Sequence, residues 1–235
     1  DATVDTPTFT QCTGEPGGSI LDITSNGYSV WITDGLNVYS SNTGTGAFSS
    51  VSTTDIDVLD FVKGRLMGAE DNEIFDGTPA GSTWTSVFAH GEAQFSWVGF
   101  AEGKSAIYAG GQAGDKALIY RLPIKPDGSA LDLPIVAGQL PDGETLTGIG
   151  GYLGFIFLGT SKGVRMCDTD TQGNLILGAP FGPASARCFE GQDRWMWFGW
   201  TNYDGTSTGL GRCDLSVFAD VDRRVPAYAS DLMVT

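Results

Sequence analysis

The sequence predicts an all-β fold, a β-propeller of about five four-stranded blades, or six or seven if further chain completes it. Three observations carry this reading. Glycine is abundant at 34 of 235 residues, about twice its common share of ~7%, and charged residues at 17% fall below the usual ~25%; both favour short strands and tight turns over helices. Short apolar or alternating runs recur in groups of four with a period of roughly 45 residues, the size of one propeller blade. Finally, two columns align across the copies. Tyr39, Phe75, Tyr120, Cys167 and Cys213 fall on the third strands, and Gly68, Gly110, Gly159 and Gly199 on the second. A β-sandwich would also supply alternating strands, but nothing in it obliges them to recur in matched quartets.

Residues 1–18 hold prolines, threonines and one possible strand, Thr8–Cys12, expected to close the outer edge beside Val225–Ser230 and so remove a bare strand. The repeats then run over about 19–54, 55–91, 92–140, 141–182 and 183–235 of a single propeller domain. The first copy contains Ile20–Thr24, Tyr28–Ile32, Asn37–Ser40 and Ala47–Val51, separated by Gly-, Asn- and Asp-bearing turns. The second contains Val58–Val62, Arg65–Ala69, Glu73–Phe75 and Thr83–Phe88. In the third, Phe95–Phe100, Ala106–Gly110, Ala117–Leu122 and Leu131–Val136 are joined by longer turns, whose closure entropy grows only logarithmically with length. The fourth is the cleanest copy: a strand ending at Gly151, the wholly apolar Phe155–Leu158, the alternating Val164–Asp168, and Leu175–Leu177. The fifth holds Ser185–Phe189, Trp195–Trp200, Leu210–Leu215 and Val225–Ser230.

Charge narrows the partners. Thirteen Lys plus Arg against 28 Asp plus Glu give a formal net charge of −15. Nucleic acid is not an expected partner, because duplex affinity rests on clustered cations that displace counterions from phosphate. Nor is a membrane, since the field opposes an anionic surface and no apolar run approaches the ~20 residues of a spanning helix. A soluble protein is expected. Residue 1 is Asp rather than Met, so the chain is read as processed or as one region of a longer polypeptide. Cys12, Cys167, Cys188 and Cys213 are expected to be free buried thiols made in a reducing cytoplasm, a disulfide or two being the alternative. His90 is the only histidine and no CxxC pair occurs, so no metal or other cofactor is implied.

Chemistry-bearing groups are few. Ser41–Phe48 and Asp76–Trp84 resemble degenerate Asp-box turns of sialidase-like propellers, in which a polar residue caps the turn amides and a following aromatic packs between blades. That role is architectural. A sialidase would need an arginine triad; Arg165, Arg187 and Arg212 come from neighbouring repeats, but Arg165 and Arg212 lie in the third-strand column and read as solvent-facing. A glycosidase would need paired carboxylates, for which Asp22, Asp60 and Glu190 on innermost strands are best placed, though such Asp residues more often bind backbone. No catalytic residue is assigned, and no enzymatic activity is expected. Asp168, Asp170 and Asn174 have the Asp-x-Asp spacing of a calcium loop without its terminal bidentate Glu, so a capped turn is the favoured reading and a metal site the weak one. In the aromatic segment Trp195–Asp204, residues Trp195 to Phe198 read as inter-blade packing. Trp200, Asn202, Tyr203 and Asp204 fall at the strand end, where an aromatic beside polar groups suits a glycan.

Gly209–Ser216, followed by Val225–Met233, is similar to a segment of minor tail proteins of actinobacterium-infecting tailed phages, and Gly159–Arg165 resembles the same group. The resemblance implies a virion component of the phage tail tip or baseplate, assembled in the host cytoplasm and present in several copies. Its implied partners are other phage tail proteins and, for attachment, host cell-wall glycan. A carbohydrate-active propeller enzyme and a free-standing lectin are the alternatives.

Overall fold

A computed structural model describes residues 11–14, 16–42, 46–182, 184–216 and 233–234. Five antiparallel sheets, each of four strands in sequence order, form the blades of a five-bladed β-propeller. The first blade is β1 (Asp22–Ser25), β2 (Val30–Thr33), β3 (Val38–Ser41) and β4 (Ser49–Ser52), and the second β5 (Val58–Val62), β6 (Arg65–Glu70), β7 (Glu73–Gly77) and β8 (Trp84–Ala89). The third is β9 (Ser96–Glu102), β10 (Ala106–Ala113), β11 (Lys116–Pro123) and β12 (Ile135–Gln139). The fourth is β13 (Leu146–Tyr152), β14 (Phe155–Thr160), β15 (Gly163–Thr169) and β16 (Leu175–Ile176), and the fifth β17 (Ala184–Gln192), β18 (Trp195–Asn202), β19 (Thr208–Asp214) and β20 (Met233–Val234). Every blade falls within its expected repeat. By compactness the chain forms two units, Asp1–Gly68 with Asp76–Thr85 and Ala69–Phe75 with Ser86–Thr235. Among the described residues no helix is long and apolar enough to cross a membrane.

In the first unit, the inner strand of one blade is sewn to the next by polar side chains. Asp22 Oδ2 accepts the Leu59 amide at 2.8 Å and Thr24 Oγ1 the Phe61 amide at 2.9 Å, while Thr33 donates to the Ile56 carbonyl. These side chains satisfy two amides and a carbonyl of the neighbouring blade. Trp31, 1% exposed, stacks on Phe61 with ring centroids 5.7 Å apart. Removing the Asp22 carboxylate leaves the Leu59 amide without its acceptor, so Asp22→Ala is expected to lower stability by about 1–3 kcal/mol in urea unfolding.

The second unit holds two apolar seams. Tyr108, Ile119, Leu146, Ile149, Ile156, Leu158 and Cys167 fill the one between third and fourth blades. Phe155, Phe157, Met166, Met196, Cys213 and Leu215 fill the one between fourth and fifth. Cys167 pairs with Ile156 and Cys213 with Met196, each partner being the second residue of its strand, and each thiol faces the preceding blade. Their shared register bears out that end of the third-strand column. In the third blade the matching residue is Leu122, opposite Ile107, so Tyr120 sits two places along on the same face. The glycine column holds for Gly110, Gly159 and Gly199, each the fifth residue of its strand, but Gly68 is the fourth residue of β6 and Ala69 takes the matching place. The reason is close approach: a Cβ on Gly110 would meet Leu146, and one on Gly159 the Ala186 carbonyl, both on the next blade.

Some boundaries differ from expectation. The fourth strand of the third blade is Ile135–Gln139, not Leu131–Val136, because Pro134 has no amide to give and Leu131 instead bridges Ile124. Of the closing strand, Thr8–Thr10 and Val225–Ser230 lie outside the described residues. Cys12 is not in a strand, and the next residue, Thr13, bridges Ala47 of the first blade in parallel, with Phe48 N donating to Thr13 O. The last blade is completed by Met233–Val234 against Gly211 and Arg212.

All four cysteines are free, but they are not all buried: Cys188 is exposed and Cys12 half-buried. Burial pushes the Cys167 and Cys213 thiols up to about 12. In Ellman titration Cys188 is therefore expected to react in the native protein, and Cys167 and Cys213 only once denaturant opens the seams.

Candidate binding site

The aromatic strand β18 divides by alternation. Met196 and Phe198 point to the fourth blade and join the buried clusters there. Trp195 and Trp197, expected to be inter-blade packing, lie on the opposite face. There the Arg212 guanidinium sits 4.2 Å over Trp195 and 5.4 Å from Trp197, and Arg194 sits 4.7 Å over Trp195.

At the strand's end the chain reverses through Asn202–Ser207 to β19. Asn202 Oδ1 accepts the Ser207 amide at 3.0 Å and its Nδ2 donates to Thr206 Oγ1 at 3.1 Å. Asp204 Oδ1 accepts the Thr206 amide at 2.9 Å and its hydroxyl at 2.6 Å, and these bonds hold the carboxyl below its ordinary range. Gly205 takes the positive φ, 72°, that such a turn requires. The loop is thus held by its own polar groups, and Tyr203 stands out from it at 54% exposure. Burial of part of its ring, then the nearby charge of Glu144, push the Tyr203 phenol up.

The four expected glycan residues therefore separate by role. Tyr203 presents an exposed ring. Asn202 and Asp204 shape the loop beneath it. Trp200 packs beside Val164, Ala186 and Phe198, with its indole over Gly209. Trp200→Ala is accordingly a packing mutation, expected to cost about 2–4 kcal/mol, whereas Tyr203→Ala should leave urea stability within about 0.5 kcal/mol.

Beneath this end of the fourth blade lies a group the sequence did not expose. Glu144, 2% exposed, takes Arg165 Nε at 2.8 Å and Nη2 at 2.6 Å, while Arg165 Nη1 donates to the Gly178 carbonyl and Thr160 Oγ1 to Glu144. Arg165, expected to face solvent, is 9% exposed; its alternation in Val164–Asp168 was legible, but its partner 21 residues upstream was not.

The remaining candidates are turn and strand fixtures. Asp170 Oδ1 accepts the Gln172 and Asn174 amides, and the Asn174 side chain donates to its other oxygen. Asp168 pairs with Lys104 at 2.8 Å, and Tyr108 donates to the Gly173 carbonyl. The Asp-x-Asp loop is thus a capped turn tied to the third blade, and no cluster of three metal-ligating side chains occurs among the described residues. Asp22 spends its two oxygens on the Leu59 and Ile23 amides, and burial pushes its carboxyl up. Asp60 is half-buried and Glu190 exposed. Arg165 and Arg212 are committed to Glu144 and the tryptophans, and Arg187 is exposed. In the Asp76–Trp84 turn, Asp76 pairs with Arg65 and caps nothing; Thr78 closes the turn instead, and Trp84 lies over Gly68 and Gly77. Residues 43–45 of the other box lie outside the described residues.

Fold and site together define a β-propeller whose polar groups are largely spent on its own turns and seams. No protein-family model matches the chain, and no curated protein matches it. Solved propeller structures do. A nidogen/laminin complex aligns with TM-score 0.61 and 12% identity over 91% of this chain and 82% of that one. A mitotic checkpoint complex aligns with TM-score 0.55 and 12% identity over 90% and 75%. A quinonprotein alcohol dehydrogenase-like protein from Bacteroides thetaiotaomicron aligns with TM-score 0.53 and 12% identity over 85% and 54%. Identities this low establish the fold alone.

Proposed function

We propose that this propeller is a structural virion protein of a phage tail tip that acts in tail assembly, host-surface attachment, or both. The resemblance of Gly209–Ser216, Val225–Met233 and Gly159–Arg165 to minor tail proteins supports the lineage; the first lies on β19, the last across the β14–β15 turn, and 225–232 outside the described residues. The observation that carries the attachment role is Tyr203, an exposed aromatic held on a loop whose polar groups already satisfy one another. Such a platform loses little entropy on stacking against a sugar face. Its partners are other tail proteins and a host cell-wall glycan.

Two measurements test this. Antibody raised against the domain is expected to label the tail tip of virions in electron micrographs; label on the capsid or on no particle overturns the tail assignment. Isolated host cell wall is expected to retain the wild-type protein and to lose about tenfold or more in affinity for Tyr203→Ala, the loss of one stacked aromatic. Retention unchanged by the substitution removes the glycan role, and sugar released during incubation points to a glycosidase instead.

A further inference from the structure

Among the described residues each blade ends in an outer strand with no ladder partner on its far side, and folded proteins defend such edges. Among the described residues, four of the five are two residues long or expose Ser and Thr rather than large apolar side chains. β4 reads Ser-Ser-Val-Ser, with Thr13 bridging Ala47 just ahead of it. β8 exposes Thr85 and Ser86, the latter bonded to Glu73. β16 and β20 are two residues long.

β12 differs. It runs five residues, Ile-Val-Ala-Gly-Gln, with no charge, pairs among the described strands with β11 alone, and exposes Ile135 by 45% and Val136 by 47%, next to Leu133 at 76%. Its defences are Pro134 just before it, which has no amide to give, and a bulge at Ala137, which twists the edge. An apolar edge of this length is a template for an added strand.

Charge selects the occupant. Asp132 and Asp142 lie in the loops at the two ends of the strand, each five residues from Ala137 in the sequence, and both are exposed. A second copy of this chain paired antiparallel about Ala137 would bring the Asp132 end of each strand to the Asp142 end of the other, and a parallel copy would bring like ends together. Like charges opposed across a strand pair are destabilising, and the −15 charge of each chain adds to that. We infer that the β12 edge is a β-augmentation site for an extended, apolar segment of another protein that carries Lys or Arg at both ends. This stands on edge geometry and charge, and holds whether or not the chain belongs to a virion.

The test uses the full chain and two fluorescent synthetic peptides, Lys-Thr-Val-Thr-Val-Thr-Lys and its Glu-ended counterpart, followed by anisotropy. The Lys-ended peptide is expected to bind, the Glu-ended one about tenfold or more weakly, and the difference to shrink with added salt. Val136→Lys is expected to lower affinity for the Lys-ended peptide about tenfold or more, and Ser50→Lys on β4 to leave it unchanged. Near-UV circular dichroism reports whether Val136→Lys is folded; if it is not, Ile135→Thr, which trims apolar surface but keeps a β-branched residue, is expected to weaken binding in the same direction. No binding of the Lys-ended peptide, equal binding of both peptides, or affinity indifferent to both β12 substitutions overturns the inference. So does a concentration-dependent dimer that Val136→Lys abolishes, which would make a second copy the occupant.

Discussion

Glu144→Ala is expected to destabilise the protein by about 3–5 kcal/mol, because it leaves the Arg165 guanidinium buried without its counterion. Arg165 is 9% exposed and would keep a single acceptor, the Gly178 carbonyl. Replacing both partners, Glu144→Leu with Arg165→Met, is expected to recover most of that loss, since no unpaired charge remains. In the double variant the single Thr160 hydroxyl proton turns to the Gly163 carbonyl, and the Gly178 carbonyl loses its Arg165 donor. Urea unfolding of the wild type and the two variants measures both effects; a double variant no more stable than Glu144→Ala would mean that lost packing, not a stranded charge, sets the cost. The pair also gives a pH signature. Burial opposes ionisation of Glu144, but the hydrogen bonds from Arg165 and Thr160, together with the Arg165 charge, outweigh it and hold the carboxyl below its ordinary range. A carboxyl lowered on folding contributes stability in full above its unfolded value of about 4.3, and that contribution is lost as pH falls through the folded value. Wild type is therefore expected to lose stability below about pH 4 more steeply than Glu144→Gln.

The fold was legible because it repeats. No single run such as Phe155–Leu158 distinguishes a buried strand from a piece of helix, but five quartets at a common spacing do. The columns were legible only to within a strand's period of two. Tyr120 lies two residues from its equivalent and keeps its face, whereas Gly68 lies one residue out and serves another neighbour, Trp84. Loop lengths differ between blades, and sequence alone does not say at which end of a strand the difference is absorbed. The site was less legible. Asn202 and Asp204 look like ligand groups in sequence, since a turn cap and a binding group use the same side chains. Trp195–Phe198 looks in sequence like one packing unit, but strand alternation sends Met196 and Phe198 to the fourth blade and leaves Trp195 and Trp197 to the arginines. The Glu144–Arg165 pair spans a blade's inner approach and its third strand, a separation with no local signature. Both the capped loop and the buried pair depend on which groups meet, and that is set by the register between strands.

Gly159→Ala is expected to be the most damaging of the single-methyl substitutions in the seam between fourth and fifth blades. A Cβ there would stand 1.9 Å from the Ala186 carbonyl oxygen and 2.7 Å from its carbon, and neither atom belongs to a side chain that can swing aside. β14 and β17 must then separate. That separation reaches the Thr147 hydroxyl's bond to the same Ala186 carbonyl, at 2.7 Å, and the Ser185 bond to the Thr160 carbonyl. It also loosens the neighbouring cluster of Phe157, Met196 and Cys213. Overpacking a tight core costs about 1–3 kcal/mol, and two strained hydrogen bonds add about 1 kcal/mol each, so a loss of roughly 3–5 kcal/mol is expected. Two companions grade the claim. At Gly110 the added methyl meets the Leu146 Cδ2 atom at 2.5 Å, a side-chain end able to shift, so Gly110→Ala should cost less. Gly91 is exposed, has nothing within 4 Å of a built Cβ and does not need a positive φ, so Gly91→Ala should be neutral or stabilising by up to about 1 kcal/mol through the unfolded chain. The expected order of urea midpoints is Gly91→Ala above Gly110→Ala above Gly159→Ala. If the Gly159 and Gly91 variants unfolded together, β17 could not lie against β14 as closely as the register requires.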